Sequence, residues 1–388
     1  MKRLLPLFVA SWLLLGCPIG PPAPADQDSR DDRTPPPVEY VDVTAVEVTD
    51  GLDRPWSFTF LPDGTVLITE RPGRVQHWDG SQLTEVAGAP GVHADGQGGL
   101  LDIVLHPEFE ANRRIYLSYS ADYATTAHGN GHGTRVARAT FEHGAISDLE
   151  VIFQSNHVST GDGHFGSRMV FDEDGFLYVT LGERQNRDLA QDTTLHPGSV
   201  IRLTEDGDVP PDNPYAATGD GVADEVFTYG HRNPQGLAVQ PETGKLWLNE
   251  HGPQGGDEVN ILEAGANYGW PEITYGVEYG SGDPIGETHD PDMEQPVVYY
   301  VPTSIAPSGM AFYEGGVFPE WVGDAFIGAL AGAHVRRLVV WNETVIEQEV
   351  LFENEVGRVR DVRIGPDGHL YFVTDAANGS LYRVDRAP

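Results

Sequence analysis

The sequence predicts an all-β fold, a six-bladed β-propeller built of four-stranded antiparallel blades. Three observations predict it. The 388 residues include 46 glycines and 29 prolines with 39 % hydrophobic content, the mix of a chain with many short strands and turns. A turn followed by a short apolar strand and a closing polar residue recurs along the chain. No stretch sustains a 3.6-residue apolar period, which argues against an α/β barrel. A pair of β-sandwiches is the rival all-β arrangement and explains the spacing of the recurring unit less well.

Taken in order, residues 1–16 read as a lipoprotein signal peptide. Lys2 and Arg3 precede the apolar run "LLPLFVASWLLLG", too short and wrongly flanked for a spanning helix. The run ends in "LLGC", which resembles a bacterial lipobox with Cys17 as the lipidated residue; an ordinary secretory signal is the alternative. Cys17 is the only cysteine, so no disulfide, thiolate metal site or cysteine nucleophile is available. Residues 17–40, rich in proline and acid, predict a disordered tether. Residues 41–388 hold the folded domain.

Within that domain the recurring unit appears as "LPDGTVLITE", "FDEDGFLYVTLGE", "QPETGKLWLNE" and "GPDGHLYFVTD", with looser copies in "HPEFEANRRIYLSYS" and "FPEWVGDAFIGAL". Asp-Gly and its equivalents supply the positive φ angles of tight turns, and the alternation after them predicts a half-buried strand. Copies fall roughly 45 to 75 residues apart, the span of a four-stranded blade with variable loops. The loops of a propeller gather at the ends of its central channel, where ligands usually sit.

The formal net charge is −35. It excludes nucleic-acid binding through a broad basic surface and is otherwise explained by solubility. Against that background, five polar, glycine-rich segments stand out near strand ends: "HADGQGG" with Gln97, "GDGHFGSR" with His164, "YGHRNPQGLAV" with Arg232 and Asn233, "NEHGPQGGDEVNILEAGANYGWP", and "GRVRDV" with Arg358 and Arg360. An imidazole titrates near neutrality and suits a general base; a hydrogen-bonded turn histidine is the plain alternative. Gly161, Gly163 and Gly166 allow close backbone approach to a ligand. Arg358 and Arg360 lie two apart on an expected strand and share a face. Such a pair calls for an anion, either a ligand or a neighbouring carboxylate.

These segments, and "GHRNPQGL" and "EHGPQGGDEVNILEAGANYGWP" above all, resemble the soluble quinoprotein glucose dehydrogenase and aldose sugar dehydrogenase family, over nearly the whole mature chain. The resemblance implies pyrroloquinoline quinone (PQQ) and Ca²⁺ as cofactors. It implies oxidation of an aldose at the anomeric carbon to the lactone, with hydride passing to PQQ and then electrons to a quinone or cytochrome. His164 becomes the base, with Gln97 beside the sugar and Arg232 on the quinone. Asn233, Ser304, Arg358, Arg360 and Asp257 become cofactor contacts. The carbonyls of Gly252 and Pro253 become Ca²⁺ ligands, with Glu258 and the Tyr268 carbonyl at a further Ca²⁺ site.

The chain departs from that pattern in three places. Gly163 stands where the glucose enzyme often has an aspartate. Ala331 falls where it has a lysine beside PQQ. The segment "YYVPTSIAPSG" lacks its tryptophan. A broader aldose or alcohol range than glucose is therefore expected. A non-enzymatic cell-surface binding propeller that has lost PQQ is the alternative; a metal-dependent propeller lactonase would need a carboxylate and asparagine cluster that the sequence does not display. The expected protein is exported and lipid-anchored in the cell envelope, as a monomer or homodimer, touching membrane only through Cys17.

Overall fold

The computed structural model describes residues 34–35, 37–219 and 221–388. The signal peptide, Cys17 and most of the tether lie outside the described residues. Residues 38–388 form one compact unit. Among the described residues it contains six four-stranded antiparallel sheets. The first strands of the six sheets are Pro55–Phe60, Leu100–Leu105, Met169–Phe171, Pro234–Val239, Pro307–Phe312 and Val359–Ile364. Each contacts the next, and the last contacts the first. The sheets are thus blades, with these strands lining the channel of a closed ring. The ring closes by strand exchange: Val43–Leu52, from the beginning of the domain, pairs with Gly379–Arg386 as the outermost strand of blade six. Closure leaves no interblade edge open to a further strand.

Each recurring sequence unit occupies the same place in its blade, the turn into the second strand and that strand itself. In the four close copies only the glycine takes the left-handed conformation, at φ +85° for Gly64, +83° for Gly175, +71° for Gly244 and +77° for Gly368. The two looser copies make the same reversal with short helical turns, Phe109–Asn112 and Pro319–Trp321.

The expected half-burial of these strands is not what the structure shows. Val66–Glu70, Leu177–Leu181, Leu246–Glu250, Ala325–Ala329 and Leu370–Thr374 are buried at every position. The reason is that blades stack face to face, so both faces of a second strand meet apolar neighbours. Six large apolar clusters sit one between each pair of successive blades.

The channel is closed by charge. Arg168, 1 % exposed, places Nη1 3.1 Å from Asp102 and 3.1 Å from Asp361. Arg363 reaches both carboxylates, also at 3.1 Å, and Ser57 Oγ donates to both. Four inner strands are thereby tied together on the axis. Arg168 also stacks 4.2 Å over Trp56, which with Leu101 and Phe165 forms the apolar floor of a cavity above. Burial lowers the Arg168 pKa, against the pull of Asp361 and Asp102.

Candidate active site

The cavity at this channel mouth has a volume of about 290 Å³. Its lining includes Arg71, Arg358, Arg360 and Asp375, together with Gln97, Gln235, His251 and Phe165–Gly166.

His164 immediately precedes the Phe165–Gly166 wall and is not itself among the lining residues; its φ is +50° and its side chain is largely buried. Its Nδ1 lies 2.6 Å from Glu183 Oε2. A carboxylate can only accept, so Nδ1 carries the proton and Nε2 is left with its lone pair. The His164 backbone N–H donates to Gln97 Oε1 at 2.8 Å, and Gln97 N–H donates to the Asp162 carbonyl at 2.7 Å. Gln97 therefore fixes the loop as well as lining the cavity. Arg184 holds the same loop from below, its guanidinium donating to the Gly161 and Gly163 carbonyls and stacking on Phe165.

The small residues of this loop serve the protein's own packing. A Cβ at Gly163 would meet the Gln185 side chain at 2.5 Å, and one at Gly166 would meet Gly182 N and Thr180 O at 2.7 Å. The expected clearance for a ligand is not their role at these two positions. Gln185 fills the space beside Gly163, and Glu183 supplies the imidazole partner that the missing aspartate left in question.

The arginines carry more positive charge than the site's carboxylates balance. Arg360 donates to Asp375 Oδ2 at 2.7 Å and to Gln235 Oε1 at 3.1 Å. Arg358, half exposed, lies 3.6 Å from the same carboxylate. Arg71, a cation that sequence reading missed, faces Asp375 across the cavity; burial and the neighbouring arginines lower its pKa. Asp375 is held below its ordinary range by these guanidiniums, although burial alone would raise it. The anion between Arg358 and Arg360 is thus the protein's own, but one carboxylate faces three guanidiniums. The Nε atoms of Arg71, Arg232 and Arg360 are buried without a hydrogen-bond partner. A polar cavity lined by the guanidiniums of Arg71, Arg358 and Arg360 and one carboxylate fits a polyanionic ligand such as a tricarboxylate quinone.

His251 lines the same wall and donates from Nε2 to the Pro307 carbonyl at 2.8 Å. Burial, then Arg360 and Arg232, push its pKa down to about 3, so it stays neutral.

Arg232 is fixed through its N–H to Glu250 Oε2 at 2.6 Å, and its guanidinium donates to the carbonyls of His251 and Gly252. Trp270 lies 5.3 Å from its guanidinium. Asn233 spends its oxygen on Gly166 N–H and Gln235 Nε2, bracing the His164 loop from blade four. Ser304 donates to Asp257 Oδ2 at 2.6 Å, which also accepts from Ile305 and Ala306 N–H, while Oδ1 accepts from Gly252 N–H. Asp257 is therefore a clamp between two loops; burial raises its pKa against these hydrogen bonds.

Gly252, Glu258 and Tyr268 line a second, smaller void of about 10 Å³ beside Arg232 and Glu250, room for one water-sized sphere. Pro253 follows Gly252 in the loop and is not among the lining residues. Burial, and then the Glu250 charge, push the Glu258 pKa up to about 8. A carboxyl so disfavoured as an anion, facing a void of ionic size with backbone carbonyls near, is a donor set that a hard cation satisfies.

The family model described as Glucose / Sorbosone dehydrogenase matches residues 52–383. The aldose sugar dehydrogenase YliI of Escherichia coli strain K12 is 44 % identical over 344 residues, covering 86 % of this chain and 91 % of its own length. The solved apo-form of the soluble aldose sugar dehydrogenase from Escherichia coli superposes with a TM-score of 0.84 at 42 % identity, over 89 % of this chain and all of that one. A PQQ-bound aldose sugar dehydrogenase from Streptomyces coelicolor superposes at 0.72 and 27 % identity, over 89 % of this chain and 99 % of that one.

Proposed function

The chain belongs to the glucose/sorbosone dehydrogenase family, and on that premise we propose that it oxidises aldoses at the anomeric carbon to lactones, with PQQ and Ca²⁺ as cofactors and His164 as base. The observation that carries this reading is the His164–Glu183 pair, tied through the His164 N–H to Gln97 of a cavity wall in which guanidiniums outnumber carboxylates. Arg71, Arg358, Arg360 and Arg232 would hold the quinone's carboxylates and carbonyls. The carbonyls of Gly252 and Pro253 would supply oxygens to the Ca²⁺ beside the quinone, and Glu258 with the Tyr268 carbonyl to a further Ca²⁺. When bound, PQQ supplies the two-electron acceptor for the anomeric hydride, and Ca²⁺ the Lewis acid that polarises it.

The protein's own part is to hold the sugar and move one proton. His164 Nε2 takes the proton of the anomeric hydroxyl. Glu183 keeps the complementary proton on Nδ1 and stabilises the imidazolium as it forms. Gln97 and Arg184 hold the loop that carries this imidazole. The carbonyl of the lactone forms as the C–H bond breaks, and a quinone or cytochrome acts as the final acceptor.

The test is reconstitution. PQQ and Ca²⁺ are added to the apoprotein, a visible absorption titration follows binding, and a panel of aldoses is assayed with an artificial electron acceptor. Saturable binding with turnover supports the proposal; neither would refute it and favour the non-enzymatic binding propeller. Ala331 is the feature that favours that alternative, and Arg71 in the same cavity weighs against it. Export and a lipid anchor on Cys17 belong to the same proposal. Incorporation of labelled palmitate, lost on Cys17→Ser, would support the anchor, and unlabelled wild-type protein would refute it.

A further inference from the structure

A second group of chemistry-bearing side chains lies beside the His164 loop, in blade two. His132 and Asp122 are directly opposed on neighbouring strands of that blade. His93, from the loop before the blade, stacks on His132 with ring centroids 3.7 Å apart. One ligand atom from each of His93, Asp122 and His132 falls within 4.8 Å of the others. His93 Nδ1 is 3.2 Å from Asp122 Oδ1, and His132 Nδ1 is 3.9 Å from the same oxygen.

The hydrogen bonds on the far side of both rings fix what faces Asp122. His132 Nε2 lies 3.0 Å from the Gly161 carbonyl and 3.1 Å from Asp162 Oδ1, both of which only accept. His93 Nε2 lies 3.3 Å from Asp162. With the Nε2 protons committed there, two neutral rings present two Nδ1 lone pairs to a carboxylate. That is three electron-pair donors facing one another with no proton between them. Protonating one ring would match Asp122 with a single proton and leave the other Nδ1 lone pair unmatched, and protonating both would stack two imidazolium cations. A single divalent ion resolves the conflict, and the outer carboxylate and carbonyl then play the orienting part usual for metal-bound histidine.

The site is also held in advance. His93 N–H donates to the Ser120 carbonyl, and His132 exchanges backbone hydrogen bonds with Ser159 at 3.0 and 3.1 Å. The Asp122 side chain is 76 % exposed, which gives an ion a path in and leaves coordination positions for solvent.

We propose that His93, His132 and Asp122 bind a first-row divalent transition ion of the Zn²⁺ class, which braces the loop carrying His164. Two imidazoles and one carboxylate with open positions select such ions over Ca²⁺, which prefers six or more oxygens. Bracing follows from connectivity: Gly161 and Asp162 orient the rings, the Asp162 carbonyl accepts from Gln97, and Gln97 accepts from His164. This site stands independently of the sugar dehydrogenase reading.

The experiment uses the full folded protein, chelator-treated and then saturated with Ca²⁺ so that oxygen-rich sites are filled. Co²⁺ is titrated by its visible d–d absorption and displaced with Zn²⁺. One equivalent should bind with a Kd of about 10 µM or tighter. His93→Ala and His132→Ala should each weaken binding at least about 100-fold, and Asp162→Asn about 10- to 100-fold. Circular dichroism reports that the variants fold. Absence of stoichiometric binding in the wild type, or its survival in the His93→Ala/His132→Ala double variant, would overturn the site. Zn²⁺ should also slow amide hydrogen exchange across residues 161–166 in the wild type and not in His132→Ala; equal exchange with and without Zn²⁺ would overturn the brace.

Discussion

Replacing Glu183 by glutamine tests the proposed base at its least obvious point. The substitution keeps shape and removes one charge. In the wild type the carboxylate sits 2.6 Å from His164 Nδ1 and also accepts from Gln185 N–H. As His164 takes a proton, the new imidazolium and Glu183 are opposite charges with centres about 4 Å apart, worth about 4 kcal/mol at an effective dielectric of about 20. Losing that stabilisation lowers kcat by about 10³-fold. The amide can also donate to Nδ1, which would favour the tautomer with its proton on Nε2 and no lone pair toward the sugar, and so adds to the loss. The assay is steady-state turnover of the PQQ- and Ca²⁺-reconstituted protein at saturating aldose, beside a PQQ titration on the same preparation. The fall should lie in kcat, with PQQ affinity within about threefold of wild type. A variant that turns over at the wild-type rate, or whose whole defect is lost PQQ affinity, would refute the assignment of His164 as a base oriented by Glu183.

Three further outcomes are expected. Arg71→Ala and Arg360→Ala should each weaken PQQ binding by about 10- to 100-fold, the value of one charge-assisted hydrogen bond, while half-exposed Arg358→Ala should cost less; a PQQ titration unaltered by Arg71→Ala would move the cofactor out of this cavity. Arg168→Met leaves Asp102 and Asp361 with Arg363 alone, and breaking such a buried network should cost about 3–5 kcal/mol in denaturant unfolding; an unchanged midpoint would show that Arg363 suffices. Burial depresses the His251 pKa from the ordinary imidazole value of about 6.5 to about 3, so its contribution to stability is complete above pH 6.5 and is lost as pH falls toward 3. Thermal melts of His251→Asn should therefore fall less steeply than wild type over that window, and parallel curves would argue against a depressed pKa.

Much of the fold was legible because its signal is local and repeated. A glycine with positive φ closes four of the turns and a short helical turn the other two, and an apolar run follows each, so the six blades could be counted from six turns. The burial of those strands was misread, because alternation describes a strand with one wet face and stacked blades have none. The site was legible less evenly. His164, Arg232, Arg360 and Gln97 stood in unusual polar strings; the structure sets Gln97 and Arg360 in the wall of one cavity, His164 in the loop that Gln97 holds, and Arg232 beside the second void. Glu183 and Arg71 escaped notice although their signal was present. Four of the recurring units end in an acid, Glu70, Glu183, Glu250 and Asp375. Those acids hold, in turn, Arg74, His164, His231 with the Arg232 N–H, and Arg360. The residue after three of them is Arg71, Arg184 or His251, each turned to the cavity or its loop. Read as a register rather than as a surface polar residue, the closing acid would have found them.

The sequence by itself determined the blade count, the ring's composition and the residue types of the site, since turn chemistry and apolar runs act within a few neighbours. Only the tertiary structure decided which charges meet. Asp102, Arg168 and Asp361 are far apart in the chain and join on the axis because ring closure brings inner strands together. His93, Asp122, His132 and Asp162 likewise belong to a loop, two strands and a second loop, and no spacing rule links them. Interactions between charges depend on distance and on exclusion of water, and both are set by how the blades close.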